Sequence, residues 1–445
     1  MNVTLYPPGP KMTLNLGVFG IFRRDPLRFF AQMAQYGPIA HTRLYGIHVY
    51  MLNDPDLIRE VLVTQAKSFH KSRGLRNARF LLGNGLLTSE DDFHLRQRRL
   101  AAPAFHQKKI AGYAAAMIQF ADQTANRWQA GQTVDMAREM MRLTLAVAGK
   151  TLFDADVETE ADEIGVALTN AMHMFLLTSS PFYPLIKRLP LPSNRRLAQS
   201  LNRLDQTVYR MIAEHRGNPN HDDLLGMMLA AQDDEDDHGR MSDLQLRDEA
   251  MTIFLAGHET TAIATTWAWY LLAQHPAVEA ELHAELRRVL NGRLPGYEDV
   301  PNLVFTRQVL AETMRLFPPA YVIGREPQEE VEIGGYSIPA GATVFMSQYV
   351  MQRNPRYFPD PEKFDPGRWT TEAEAARPKF AYFPFGGGPR VCIGEQFAWL
   401  EGILVLATLA RCWQPRLAVT PPVGLQPLIT LRPQGGVPMR LEPVR

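Results

Sequence analysis

The amino-acid sequence predicts a mainly α fold with small β-sheets, and three observations carry that prediction. Apolar residues recur at helical spacing from Asp54 to Val63, from Lys108 to Trp128 and through most of the chain up to about Val289. Strand-like alternation is confined to short runs. Those runs lie far apart, so the sheets they form must gather distant segments of the 445-residue chain. One large mixed domain over residues 1–445 is therefore expected, in place of the serial domains that length alone suggests.

In chain order, Ile39 to Leu44 and His48 to Leu52 alternate around Gly46 and read as a hairpin. The helical pattern follows. The most apolar long stretch, Met251 to Ala273, is interrupted by His258 and Glu259, which are expensive in lipid, so it reads as a buried core helix. A second strand group is expected in Val331 to Met346, where GGY and PAG mark turns, and a third in Leu428 to Leu441 around Gly435 and Gly436. Pro181 to Pro192, with four prolines, and the acidic run Asp233 to Asp237 read as loops, the latter a solvated one without chemistry.

Lys and Arg number 47 against 47 Asp and Glu, so the footprint of a nucleic-acid binder or polybasic membrane protein is missing. Hydrophobic residues at 46% with charged residues at 21% describe a globular chain with ample core. Two cysteines, Cys392 and Cys412, cannot build a disulfide framework, and a cytoplasmic location is expected. The start, MNVTLYPPGPKMTLNLG, has neither a basic, apolar leader nor a spanning segment.

The sharpest local feature is FPFGGGPRVCIGEQFAWLE, Phe383 to Glu401. Gly386, Gly387, Gly388 and Pro389 force a turn; Cys392 and Gly394 follow, then a helix with Phe397, Leu400 and Leu404 on one face. A cysteine at a helix start is stabilised as thiolate by the terminal dipole and backbone N–H groups, and such a sulfur ligates a metal or attacks an electrophile. A buried, inert cysteine is the plain alternative, and the reading kept for Cys412. No local signature of a Cys–His hydrolase accompanies Cys392.

These residues resemble the cytochrome P450 family, the haem-thiolate monooxygenases, whose F-x-x-G-x-R/H-x-C-x-G signature is matched by Phe385, Gly388, Arg390, Cys392 and Gly394. The resemblance implies a single triangular P450 domain with haem b between the AGHETT helix and the cysteine-bearing helix. Cys392 is then the axial iron ligand, Phe385 packs over the sulfur, and Gly386 belongs to the same cofactor-binding turn. A thiolate ligand favours O–O cleavage. The family's E-x-x-R motif matches Glu312 and Arg315, and its later arginine matches Arg368 in PEKFDPGRW, a structural triad in which Trp369 stands where Phe is commoner.

The haem propionates require charge-assisted donors, and the family's positions fall on His94, Arg98, Arg325 and Arg390, His94 replacing a more frequent Trp. A zinc-protease reading of His258 and Glu259 fails because the second histidine position holds Ala262. By resemblance the helix opens at Ala256 and Gly257, and the acid–alcohol pair Glu259 and Thr260 delivers protons to dioxygen. A threonine hydroxyl suits that role because it donates while it accepts.

The implied reaction inserts one atom of O2 into an apolar substrate, with electrons ultimately from NAD(P)H. With no anchor segment and no room after Arg445 for a fused reductase, a soluble bacterial member is expected, served by a separate ferredoxin or flavodoxin with its reductase. Arg96, Arg99, Lys108 and Lys109 are candidates for steering that acidic partner. Matched pocket positions are Leu87, Ala256, Val322 and Ile429, and the predicted lid holds Met172, Met174, Phe175, Leu176, Leu177 and Phe182. A pocket of this kind favours a fatty-acid, terpenoid, carotenoid or steroid-like molecule, while Arg73, Arg76 and Arg79 could hold a carboxylate at the entrance. A haem-thiolate isomerase or dehydratase, a peroxide-driven peroxygenase and a non-enzymatic haem sensor remain as alternatives, although the acid–alcohol pair counts against the peroxygenase.

Overall fold

The computed structural model describes residues 6–10, 16–44, 46–157, 160–178, 189, 191–218, 223–230 and 241–444. The principal helices are α1 (Asp91–Ala101), α2 (Gln107–Arg127), α3 (Met136–Phe153), α4 (Ala161–Thr178), α5 (Pro192–Gly217), α6 (Asp243–Leu272), α7 (Pro276–Leu290), α8 (Val304–Leu316) and α9 (Glu395–Ala410). The strands are β1 (Ile39–Leu44), β2 (Ile47–Leu52), β3 (Phe69–Lys71), β4 (Thr133–Asp135), β5 (Ile323–Pro327), β6 (Val331–Ile333), β7 (Tyr336–Ile338), β8 (Thr343–Met346), β9 (Arg416–Leu417), β10 (Leu425–Pro427), β11 (Leu431–Pro433) and β12 (Pro438–Arg440). The mainly α composition with small sheets is as the periodicity predicts.

The chain forms two compact units, each assembled from separated segments: Met1–Arg76, Ala311–Cys392 and Ile429–Leu431 in one, Asn77–Leu310, Ile393–Leu428 and Arg432–Arg445 in the other. In the first unit, β1 and β2 form the expected hairpin, Ile39 opposite Leu52 and Leu44 opposite Ile47. It is the edge of a five-stranded sheet of order β1-β2-β8-β5-β3. The sheet's apolar face joins Ile58, Val61, Ile333, Phe380 and Phe383 in one core with Tyr50, Leu52, Val344 and Met346. The turn between β6 and β7 uses Gly334 and Gly335 at φ 58° and 78°, a conformation that glycine adopts without strain. Asp54–Val63 is helical, an α-turn over Pro55–Arg59 that widens into a π-turn over Glu60–Thr64.

In the second unit, α6 packs against α3 and α5, and α9 against α2. Ser242 caps α6: its hydroxyl accepts from the Gln245 amide at 3.3 Å and its own amide donates to the Gln245 side chain at 2.7 Å. Almost the whole of α6 is buried on every side, which explains its continuous apolar pattern. A three-stranded sheet orders β4-β12-β9.

Two expectations need correction, and one strand was not anticipated. The C-terminal segment holds strands, but Ile429 lies in the bend between β10 and β11, where Leu428–Thr430 break the extended run. The inner strand β5, between β8 and β3, went unread because its residues, Ile-Gly-Arg-Glu-Pro, do not alternate. The opening expected at Ala256 and Gly257 does not interrupt α6, which is α-helical throughout Asp243–Leu272. The acidic run Asp233 to Asp237, Phe182 and most of the proline-rich loop lie outside the described residues.

Candidate active site

In the first unit the glycine turn folds the chain back on itself. The Gly386 amide donates to the Phe383 carbonyl at 2.9 Å and the Cys392 amide to the Phe385 carbonyl at 3.0 Å. Gly386 and Gly388 have φ of 75° and 67°. A Cβ on Gly388 would lie 1.8 Å from the carbonyl oxygen of Leu62, so nothing larger than hydrogen fits between this turn and the π-turn. Cys392 is exposed, three residues ahead of α9, and Cys412 is half-buried beyond that helix. Phe385, Gly386 and Arg390 are half-buried.

The structure brings Glu312, Arg315 and Arg368 together. Arg315 donates Nε to Glu312 Oε2 and Nη2 to Oε1, both at 2.8 Å, and both side chains are fully buried. Arg368 Nε lies 3.4 Å from Glu312 Oε1. The remaining guanidinium protons of Arg315 reach the carbonyls of Gln352 at 3.0 Å, Pro361 at 2.6 Å and Lys363 at 3.0 Å, which is what a buried charge requires. Trp369 is a partner that sequence reasoning missed: its indole N–H donates to Glu312 Oε2 at 2.9 Å, a bond that Phe cannot make.

Arg325 sits in β5, buried, opposite Lys71 of β3 and Val344 of β8. Val322 just precedes that strand and, like Ile429, is half-buried. Arg76 donates to Glu326 Oε1 at 2.6 Å and to the Lys71 carbonyl at 2.9 Å, so this arginine is engaged within the protein.

In the second unit, His94 and Arg98 lie one turn apart on α1, His94 buried and Arg98 half-buried. On α6, Ala256 is exposed and Gly257 and Thr260 are half-buried, a strip of small residues on a helix otherwise buried from Leu246 onward. The Thr260 hydroxyl donates to the Ala256 carbonyl at 2.9 Å. His258 faces the core: burial lowers its pKa, its Nδ1 lies 2.7 Å from the Phe254 carbonyl, and its own carbonyl accepts from Thr144 at 2.9 Å. Glu259 is buried against Arg432, whose Nε donates to its Oε1 at 2.8 Å. Arg432 also reaches Thr169 Oγ1 at 3.1 Å and Met172 Sδ at 3.0 Å, and no sequence signal pointed to it.

Leu87 occupies a turn and is 38% exposed. Met172 is buried; the side chains of Met174, Phe175, Leu176 and Leu177 lie outside the described residues. Arg79 donates to the Thr88 carbonyl at 3.0 Å, whereas Arg73 is exposed. Glu401 of α9 is a third residue that sequence reasoning missed. It is fully buried, and burial pushes its carboxyl up to about 8, the nearby Thr261 hydroxyl offsetting only part of the shift without a hydrogen bond of full geometry.

The cytochrome P450 family model matches residues 7–427. The chain belongs to the cytochrome P450 family. Cyclooctatin synthase of Streptomyces melanosporofaciens is 40% identical to this P450 over 430 residues, covering 95% of this chain and 92% of the relative. Cyclooctat-9-en-7-ol 5-monooxygenase of the same organism is 36% identical over 401 residues, covering 88% and 86%. The crystal structure of the cytochrome P450DA haem domain superposes with a TM-score of 0.86 at 29% identity, covering 98% of each chain. The P450 is accordingly an oxygen-incorporating oxidoreductase with a haem-iron cofactor. Among the described residues no helix is long and apolar enough to cross a membrane.

Proposed function

We propose that this P450 inserts one atom of O2 into a neutral, apolar isoprenoid-type molecule in the cytoplasm, taking NAD(P)H-derived electrons from a separate ferredoxin or flavodoxin and its reductase. The observation that carries the reading is Cys392, an exposed thiol held by a turn whose Gly388 leaves no room for a side chain. Residues 1–445 are read as one haem domain, since the two units interleave along the chain and are not serial.

The residues present suit a haem by their chemistry. Cys392 offers the axial sulfur, and His94, Arg98, Arg325 and Arg390 offer cationic or neutral N–H donors for two propionates. The bare strip Ala256, Gly257 and Thr260 offers a flat helical face without bulky side chains. When bound, the haem supplies the reductive activation of dioxygen and the transfer of one oxygen atom.

The protein's own part is to hold, orient and supply protons. Thr260 Oγ1 carries a proton toward the Ala256 carbonyl and keeps lone pairs with which to accept another. Glu259 Oε1 is held by Arg432, so that acid can relay a proton only when the ion pair loosens. Glu312, Arg315, Arg368 and Trp369 keep their unit rigid and take no part in proton transfer.

The substrate class is read from Leu87 and Ala256 of the second unit and, separately, Val322 and Ile429 of the first, each apolar and each exposed or half-buried; burial of apolar surface is favourable at roughly 0.8 kcal/mol per CH₂. Arg76 and Arg79 already bond protein groups, so of the three arginines only exposed Arg73 is left to meet a carboxylate, which weakens the case for a fatty acid. A relative that is a monooxygenase of cyclooctat-9-en-7-ol points the same way. The test is the carbon-monoxide difference spectrum of the reduced protein followed by Soret titration. Cys392→Ser is expected to abolish the red-shifted thiolate band, and an unchanged band overturns the ligand assignment. A Soret shift with small polar compounds alone overturns the substrate class.

A further inference from the structure

Two adjacent carboxylates near the start of α6 bind main chain. Asp248 Oδ2 accepts the Asn84 amide at 2.7 Å and Glu249 Oε2 accepts the Leu86 amide at 2.9 Å. Both side chains are buried, 7% and 1% exposed. The loop they hold, Gly83 to Leu87, is shaped for close approach. A Cβ on Gly83 would lie 1.9 Å from Asp248 Oδ1, and one on Gly85 2.3 Å from the Thr252 hydroxyl and 2.4 Å from the Asp248 carbonyl oxygen. Thr88 closes the loop by donating to the Gly83 carbonyl at 2.7 Å.

The same carboxylate faces a buried arginine. Arg247 Nη1 donates to Asp248 Oδ1 at 3.0 Å, and its Nε donates to Asp205 Oδ1 of α5 at 2.7 Å. Charge-assisted bonds therefore run without a gap from the loop amide at Asn84 through α6 to α5. Charge-assisted bonds are stronger than neutral ones, and a buried pair is costly to break by removing one partner.

We propose that Asp248, Glu249 and Arg247 are positioning residues that clamp the loop carrying Leu87 to α6 and couple it to α5, so that a displacement of α5 changes the pocket wall at Leu87. This deepens the substrate reading and rests on Leu87 lining the pocket. A loop bound only by exposed contacts would open independently of α5, whereas this one is tied to it through buried, charge-assisted bonds.

Residue-resolved hydrogen exchange of the ligand-free holoenzyme reads the clamp with no substrate present. Glu249→Ala is expected to speed exchange of the Leu86 amide roughly tenfold or more, while Glu249→Gln, which keeps a carbonyl acceptor, retains most of the protection. Arg247→Met touches neither amide and is expected to speed exchange at Asn84. Unchanged exchange at Leu86 in Glu249→Ala overturns the clamp, and unchanged exchange at Asn84 in Arg247→Met overturns the coupling. If Glu249→Ala does not fold, Asp205→Asn, at the half-exposed end of the chain of bonds, carries the coupling test with the same expected result at Asn84. Soret titration with an apolar ligand is expected to weaken several-fold in Glu249→Ala and not in Glu249→Gln; equal affinity in the two variants overturns the role in substrate binding. A wild-type protein that responds to no apolar ligand overturns the substrate class instead, and the exchange data still decide the clamp.

Discussion

Thr260 places its proton on a defined atom, donated to the Ala256 carbonyl one turn back on α6. Thr260→Ala is expected to keep oxygen and NAD(P)H consumption while product falls and hydrogen peroxide rises several-fold, and equal coupling at normal haem content assigns proton delivery elsewhere. Glu401 makes a different prediction. Its folded carboxyl titrates near 8, above the ordinary 4.5, so between these values the folded protein keeps a proton that the unfolded chain releases. Stability from this group is fully present below the ordinary range and declines as pH rises toward about 8. Glu401→Gln removes that slope: relative to the parent, the variant is expected to gain stability at pH 8 compared with pH 5, read from denaturant midpoints at the two pH values. A parallel pair of curves would mean that the carboxyl is already ionised in the folded protein.

At the level of elements, the segment around Glu312 shows what a sequence can and cannot carry. The pair Glu312 and Arg315 is visible as one helix face, and the family pattern adds Arg368, but the Trp369 indole bond to Glu312 spans 57 residues and depends on how the segment after Pro366 turns. Trp369→Phe is expected to lower stability by about 1.5–3 kcal/mol, the range for a hydrogen bond to a charged group, with little effect on the thiolate spectrum. Glu312→Ala, which leaves Arg315 uncompensated, is expected to lose about 3–5 kcal/mol by thermal or denaturant unfolding. The β1–β2 hairpin was readable because its residues alternate around a glycine. Strand β5 was not, because Arg325 and Glu326 look like surface residues until Arg76, 250 positions earlier, supplies the partner for Glu326. The same distance hid Arg432, whose hold on Glu259 spans 173 positions, and the loop clamp at Asp248 and Glu249.

For the whole molecule, a formal net charge of zero leaves docking of a redox partner to local charge. Lys108 is exposed and Lys109 half-buried at the start of α2, after Arg96 and Arg99 of α1. Reversing Lys108 and Lys109 to Glu is expected to slow reduction by an acidic ferredoxin several-fold at low ionic strength, with the difference vanishing as salt is raised. Equal low-salt rates would move docking to another surface. The interleaving of segments also has a consequence for biosynthesis. Strand β2 pairs in parallel with β8, Val49 against Thr343, so the hairpin made early must await a partner translated roughly 290 residues later. At about 5–20 residues per second that interval is on the order of 15–60 s. Throughout it the nascent hairpin presents an uncovered strand edge, the kind of surface that recruits other chains. Ribosome pausing within the intervening codons should therefore lower the yield of native protein more than pausing after Met346.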